Sequence, residues 1–269
     1  MYTEIEISNW NHLLQIFYKL NNFIFRGQSS SEWKLQSSIE RISKFADNIE
    51  VAEGKIIKKF KQNARLYLDH TPDEDDIFEW LSYIQHYGGP TRLVDFSYSP
   101  YIACFFALDD ILDHRDSGAA IYGVNKAILW QAIAVKNNFE YPYNWFWVGY
   151  KTNEIFNNLK FTTNDNSILF LERKTNHERT SIQQGVFLVS LNRNASFHDE
   201  LFRFFNIKES DKNENITPET SIIKIKINYS SAINMMKELH KMNINSETLF
   251  PGLEGFTKSL KWKAICDAW

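Results

Sequence analysis

The first residues in this chain that could do chemistry form the tetrapeptide Phe25-Arg26-Gly27-Gln28. It ends a short apolar run of strand type, so the arginine is expected at a sheet edge or cleft. Arginine offers a planar fork of donors for phosphate, carboxylate or carbonyl groups. The glycine lets a ligand approach the backbone closely. The alternative interpretation is an arginine that holds a turn through a salt bridge with a nearby acid.

A second and denser group of polar residues spans 85–97, QHYGGPTRLVDFS. An apolar helix is predicted directly after it, from Tyr101 to Leu108. Because buried polar groups must be hydrogen-bonded, the segment predicts a polar network in which Arg92 and Asp95 are natural partners. The alternative is a structural ion pair beside His86 as a satisfied core histidine.

Other patterns of catalytic or metal-binding residues are missing from the sequence. The seven histidines show no H-E-x-x-H motif and no paired spacing, so no metal is expected. The sequence contains no G-x-S-x-G elbow, no Walker A loop and no G-x-G-x-x-G motif. Cys104 lies in an apolar helical pattern, which argues against a reactive thiolate.

A mixture of helices and strands must position these groups. Ser8, an aspartate of the acidic loop 71–76, and Ser99 followed by Pro100 are candidate starts of helices. The strand predicted at 222–227 alternates and is expected to be half-buried and antiparallel. The predicted helices cover 10–17, 56–67, 77–87, 100–112, 231–242 and part of 252–269, and the predicted strands cover 23–25, 91–96, 119–124, 185–190 and 222–227. The pattern predicts one α+β domain over 1–269, with mixed or antiparallel sheets, flanking helices and a surface loop or hinge at 209–219.

The composition excludes several classes of protein. The chain has 30 basic and 33 acidic residues, a net charge of −3, which argues against a dedicated DNA-binding surface. It lacks an apolar run of about 18 residues, a signal-peptide pattern and enough cysteines for a disulfide framework. A cytoplasmic location without membrane contact is therefore expected. The aromatic stretch 139–150 is interpreted as core or as a cap over a cleft.

Four ordered motifs resemble the FRG domain family, which is named for its Phe-Arg-Gly motif. They are FRGQ at 25–28, QHYGGPTRLVDFSYSPYIACFFA at 85–107, RTSIQQGVF at 179–187 and LFPGLEG at 249–255. The resemblance spans about residues 22–260, and Phe96 departs from it because the family usually has Trp there. It implies a bacterial or phage-associated domain of poorly defined activity, and some such domains are candidates for defence or toxin systems.

The same blocks are similar, more distantly, to ADP-ribosyltransferases. In those enzymes a first strand ends in Arg-Gly or His-Gly, a second precedes a helix with Ala-x-x-Phe, and a third carries a catalytic Glu. The corresponding segments here are 25–27, 95–97 and 182–189. The resemblance implies NAD as a substrate and glycosyl transfer from it, with Arg26, Asp95 and Gln184 as catalytic candidates.

The resemblance also implies a set of residues that bind the nucleotide. Gly27 would hold the carboxamide, Arg26 a phosphate or ribose, and Tyr87 or an aromatic from 141–147 would stack on nicotinamide. The full set of binding candidates is Phe25, Gly27, Gln28, Gln85, His86, Tyr87, Thr91, Arg92, Ser97 and Gln183.

The main departure from a transferase lies in the third block. Gln183 and Gln184 stand where a catalytic carboxylate is expected, and losing that charge commonly costs about 10²–10³ in rate. Asp95 or Glu178 would have to supply it.

Three functions therefore remain open. The first is an effector of phage defence or of a toxin system that binds NAD and acts on an unidentified target. The second is a non-catalytic interaction module whose motif residues form a buried polar network. The third is a nucleic-acid-processing effector that uses the basic face 58–65, although the net charge favours a solvated helix face. The deciding geometry is whether the motif side chains meet in one open cleft.

Overall fold

The centre of the fold is a mixed sheet. The computed structural model describes residues 1–42, 45, 48–139, 145–158, 167–174, 178–193 and 195–266, without the side chains of 145–150. Its strands are β1 (Tyr2–Ile7), β2 (Phe23–Gln28), β3 (Val94–Ser97), β4 (Ala119–Asn125), β5 (Ile168–Leu171), β6 (Gly185–Ser190), β7 (Lys212–Asn213) and β8 (Ile222–Ile227). They lie in the order β5-β6-β3-β2-β4-β8-β1-β7. β1 is parallel to β7 and β8, and the other pairs are antiparallel.

Helices flank this sheet, which confirms the predicted α+β class. They are α1 (Trp10–Lys19), α2 (Ser38–Ile42), α3 (Ile49–Ala64), α4 (Ile77–His86), α5 (Pro100–Leu108), α6 (Lys126–Lys136), α7 (Trp145–Asn158), α8 (Glu178–Ile182), α9 (Phe197–Phe204), α10 (Tyr229–Lys241), α11 (Ser246–Leu249) and α12 (Leu253–Cys266). None of the described helices has both the length and the hydrophobicity that crossing a membrane requires.

Both faces of the sheet are covered, because alternate residues of one strand enter different cores. Phe23 and Phe25 of β2 join a core with α1, α5, α10 and α12, whereas Ile24 joins a core with α6 and α9. A third cluster packs Ile57 of α3 and Leu81 of α4 against β5 and β6. This third cluster also contains Leu93 of the second motif, and it holds α4 beside β6, where the third motif ends.

Several predicted boundaries are confirmed by the capping geometry. The side chain of Asp76 accepts a hydrogen bond from the backbone of Glu79 at the start of α4. Ser99 does the same for Ile102 at the start of α5, with Pro100 in the first turn. The prediction of Ser8 as the first N-cap is wrong, because Asn9 accepts the hydrogen bond from the His12 backbone.

Two predictions about strands need correction. The strand at 222–227 lies between β1 and β4, so it is parallel on one side, antiparallel on the other, and largely buried. The segment 209–219, predicted as a surface loop or hinge, includes the short strand β7, which pairs with the unpredicted strand β1. Of the aromatic stretch, residues 140–144 and the side chains of 145–150 lie outside the described residues.

Candidate functional site

A cleft opens where β2 and β3 separate. Among the described residues, the pairing of these two strands is confined to Phe25 opposite Ser97. β2 nevertheless continues along β4 as far as Gln28, and β3 runs along β6 from Val94. The gap between the two strands forms a cavity of about 310 Å³. Its lining residues are Phe25, Arg26, Gly27, Ser82, Gln85, His86, Asp95, Phe96, Ser97, Ala103, Phe106, Arg179, Thr180, Gln183, Gly185 and Phe187.

Arg26 bridges the two separated strands. Its Nη1 donates a 2.9 Å hydrogen bond to the Asp95 carbonyl oxygen and lies 3.6 Å from the Asp95 carboxylate. The side chain of Arg26 is 17% exposed and that of Asp95 is 59% exposed. Burial lowers the pKa of Arg26 and the charge of Asp95 opposes that shift. Since a guanidinium keeps its proton in proteins, Arg26 is a mostly buried cation facing an accessible carboxylate.

A second guanidinium enters the cleft from α8. Arg179 lies over the ring of Phe250, 4.5 Å from its centroid, within the fourth motif. Burial lowers the pKa of Arg179, and the charges of Asp95 and Glu254 oppose that shift. The charged side chains that line the cleft among the described residues are thus two guanidiniums and the carboxylate of Asp95. This excess of positive charge attracts anions.

Helix α4 presents Ser82, Gln85 and His86 to the cleft. Their i, i+3, i+4 spacing puts them on one helix face. Sequence reasoning singled out Gln85 and His86 but missed Ser82, which the same spacing would have found. Ser82 is 2% exposed, and its hydroxyl makes no hydrogen bond within the described residues.

The later motifs are joined to the second by hydrogen bonds. The hydroxyl of Ser97 donates to the carbonyl oxygen of Gln183 at 2.8 Å. The amide Nε2 of Gln183 donates to the carbonyl oxygen of Leu249 at 2.9 Å. Ser97 and Gln183 thus join two parts of the cleft lining, and Leu249 supports Gln183 from behind it.

Gly27 has a role that the sequence argument missed. A Cβ atom at this position would overlap the carbonyl oxygen of Ala103 and the backbone nitrogen of Ala107 in α5. The missing side chain therefore allows β2 to lie directly against α5. Gly27 also lines the cleft, but helix packing alone explains why the position requires glycine.

Arg92 does not belong to the cleft. Its guanidinium forms a two-point ion pair with the carboxylate of Glu53 in α3, and both side chains are largely buried. The expected pairing with Asp95 is corrected: Asp95 faces Arg26 instead. No local pattern indicates this pair, because its members are 39 residues apart in the chain.

Four further binding or catalytic candidates lie outside the cleft lining. Thr91 is buried and donates its hydroxyl to Gln85, while Gln28 donates to the carbonyl oxygen of Lys34. The ring of Tyr87 is 63% exposed and lies edge-on to His86.

Gln184, the fourth of these candidates, has the left-handed φ of 49°. Its carbonyl oxygen accepts from the backbone of Tyr98. Its neighbour Gln183 is the glutamine that lines the cleft. Glu178 is absent from the described lining, so Asp95 is the carboxylate found there.

Sequence reasoning named Phe25, Arg26, Gly27, Gln85, His86, Asp95, Ser97 and Gln183 as site residues, and the structure brings these eight together. Arg179 belongs to the third motif, but the motif by itself predicts no role for its side chain. No group of three or more His, Cys, Asp or Glu side chains suited to a metal ion occurs in the described part of the chain.

Comparison with known proteins adds one match. Residues 21–116 match the family model described as the FRG domain. The matched range includes the first two motifs, whereas the segments 179–187 and 249–255 lie beyond it. The first of these segments lines the cleft through Arg179 and Gln183, and the second contacts those two residues through Phe250 and Leu249. No curated protein and no solved structure matches this chain.

Proposed function

We propose that this cleft binds a dinucleotide of the NAD type and that the chain, whose residues 21–116 match the FRG domain model, catalyses glycosyl transfer from it. One observation carries the proposal: the guanidiniums of Arg26 and Arg179 and the carboxylate of Asp95 line the gap between two separated strands. The distant similarity to ADP-ribosyltransferases supports the same conclusion, because the three corresponding strands, β2, β3 and β6, are neighbours in the sheet.

The charges of the cleft suit a diphosphate group. Guanidinium groups bind phosphate oxygens through paired, charge-assisted hydrogen bonds. Phe106 is partly exposed in the lining and supplies apolar surface against which a planar ring can stack. The other phenylalanines of the lining, Phe25, Phe96 and Phe187, are buried in the cores behind it. A volume of about 310 Å³ is near the lower end for ligand pockets, so we propose that one end of the dinucleotide is enclosed and the rest lies at the mouth.

Asp95 is the proposed catalytic carboxylate, in place of the glutamate that a transferase has in its third block. Breaking the bond between ribose and nicotinamide develops positive charge on the ribose. A preorganised carboxylate stabilises that charge. Phosphate oxygens would compete with Asp95 for Arg26, which would free the carboxylate to face the ribose. Gln183 would donate to or accept from a ribose hydroxyl.

Calorimetric titration with NAD and with ADP-ribose tests the binding part of the proposal. We expect Arg26→Ala to weaken binding at least tenfold, because it removes a charge-assisted contact. Arg65→Ala, at an exposed arginine that follows α3, is the matched control and should bind as wild type does. Wild-type protein that binds neither ligand, or equal binding by Arg26→Ala, would overturn the proposal.

Chromatographic detection of released nicotinamide tests the chemical part. We expect Asp95→Asn to bind NAD within a few-fold of wild type while the rate falls by about 10²–10³, which is the usual effect of removing one electrostatic contact to the transition state. An Asp95→Asn variant as active as wild type would refute the role of this carboxylate. The proposal names no acceptor for the ribosyl group. A role in phage defence or in a toxin system is proposed on the family resemblance alone.

The alternative of a buried structural network suits Arg92 better than Asp95. With its side chain 59% exposed, Asp95 should stabilise the fold little, about 1 kcal/mol at most. A large fall in melting temperature for Asp95→Ala would favour the network. The nucleic-acid alternative rests on the basic face of α3, where Lys58 and Lys59 are exposed and Lys61 pairs with Glu74.

A further inference from the structure

We infer that the Ser82 hydroxyl and the Nε–H of Arg26 form a subsite for a phosphate oxygen in the cleft. This inference deepens the proposed function, because the phosphate would belong to the dinucleotide. Both residues line the cleft, and they come from different elements, α4 and β2. Both polar atoms are inaccessible to solvent and have no hydrogen-bond partner within the described residues.

Unpaired buried polar atoms are uncommon in folded proteins and destabilise them, so each requires an explanation. A serine within a helix usually satisfies its hydroxyl by donating to a carbonyl oxygen one turn earlier. Ser259 in α12 does this by donating to Phe256 at 2.7 Å. Ser82 is as deeply buried, at 2% exposure, but makes no such bond.

The chemistry of the two atoms identifies the missing partner. The Nε of arginine can only donate, and a serine hydroxyl can donate as well, so one acceptor could satisfy both. That acceptor is expected to be anionic, because Arg26 is charged and the described lining holds two guanidiniums against one carboxylate. The hydroxyl of Ser97, also in the lining, already donates to Gln183. Ser82 is therefore proposed as a specificity-determining residue for a phosphate.

Titration of wild type, Ser82→Ala and Ser82→Cys with inorganic pyrophosphate and with NAD tests the subsite. We expect each variant to bind pyrophosphate and NAD about tenfold more weakly, the usual effect of losing one hydrogen bond to a charged group. The melting temperature of Ser82→Ala should stay at or above that of wild type, because this substitution removes an unpaired hydroxyl and favours the helix. Ser259→Ala is the matched control and should keep wild-type affinity.

The outcomes separate this inference from the proposed function. Wild type that binds pyrophosphate but not NAD, with the loss in Ser82→Ala, would support the subsite and overturn the proposed function. Binding of NAD that needs Arg26 but is unchanged in both Ser82 variants would overturn the subsite alone and assign the hydroxyl to a buried water. Wild type that binds neither probe would overturn both.

Discussion

The guanidinium of Arg26 donates its 2.9 Å hydrogen bond to the backbone carbonyl of Asp95, not to another side chain. If the pairing of Phe25 with Ser97 continued along both strands, Gly27 would lie opposite Asp95. The strands separate there instead, and the side chain of Arg26 satisfies the carbonyl oxygen. The arginine thus helps to keep the gap open and also supplies its positive charge.

Replacement of Gly27 by alanine should destabilise the fold strongly. The new methyl group would overlap backbone atoms of α5, which cannot move as a side chain would. We expect the free energy of unfolding to fall by about 3 kcal/mol or more, as for severe overpacking. Denaturant unfolding measures this. Gly54→Ala is the control: its Cβ would meet no atom within 4 Å in α3, and it should stabilise by about 0.5–1 kcal/mol. Equal effects of the two substitutions would refute the packing role.

Removal of the carboxylate at Glu53 should take away the two-point ion pair of the buried Arg92 guanidinium. We expect Glu53→Ala to lower the free energy of unfolding by about 3–5 kcal/mol. Glu74→Ala removes the partner of Lys61 at an exposed ion pair and should cost at most about 1 kcal/mol. Urea unfolding at neutral pH compares the two variants, and a mild effect of Glu53→Ala would show that the pair is not structural.

The two adjacent glutamines should respond differently to substitution. Gln184→Gly should stabilise the protein by about 0.5–1 kcal/mol, because glycine adopts the left-handed φ of 49° with less strain. Its affinity for NAD should not change. Gln183→Ala should weaken NAD binding and cost about 1 kcal/mol, because it removes the hydrogen bond to Leu249. Thermal unfolding measures the changes in stability, and calorimetry measures the affinity for NAD. Weaker binding by Gln184→Gly would restore Gln184 as a site candidate.

Acid should weaken the fold through Glu4 in β1. Burial favours a higher pKa for Glu4, but hydrogen bonds from Lys226, Lys212 and Tyr2 outweigh it and lower the pKa from 4.5 to about 2. A lowered folded-state pKa adds stability that is fully present above pH 4.5 and is lost as the pH falls toward 2.

The test of this pH dependence is Glu4→Gln. At pH 7 it should lower the free energy of unfolding by about 1–3 kcal/mol. The difference from wild type should shrink steadily below pH 4.5. Glu6→Gln, at an exposed position of the same strand, is the control and should differ little from wild type in stability at pH 7. A difference for Glu4→Gln that does not depend on pH would contradict the assignment.

Local signals in the sequence predicted much of the fold. The bounds of β6 and β8 match the predicted 185–190 and 222–227, because uninterrupted apolar or alternating runs define them. An aspartate of the loop 71–76 and Ser99 were predicted at helix starts because capping depends on residues within one turn, and the structure has Asp76 and Ser99 as the caps. Strand β1 was missed: its polar positions, such as Glu4, are stabilised by lysines from β7 and β8, more than 200 residues away in the chain.

Within the site, motif membership indicated which segments meet but not which side chains face the cleft. Gln183 and Gln184 are neighbours in one motif, and a backbone with positive φ decides that only the first lines the gap. Arg92 lies three residues from Asp95 in the chain, but the position of α3 brings Glu53 to it, and the two form an ion pair. Distinctions of this kind depend on tertiary contacts, which no local pattern records.

The close contact between β2 and α5 affects how a Phe-Arg-Gly match should be interpreted. The glycine is required because a helix lies against the strand, and Phe25 is required because it fills the core on that same face. The phenylalanine and the glycine of the motif are thus required by the packing of β2 against α5. A protein would keep both residues even after losing its ligand. Among chains that share the Phe-Arg-Gly motif, those that bind the ligand should be distinguished by keeping the arginine and the residues that face it across the gap.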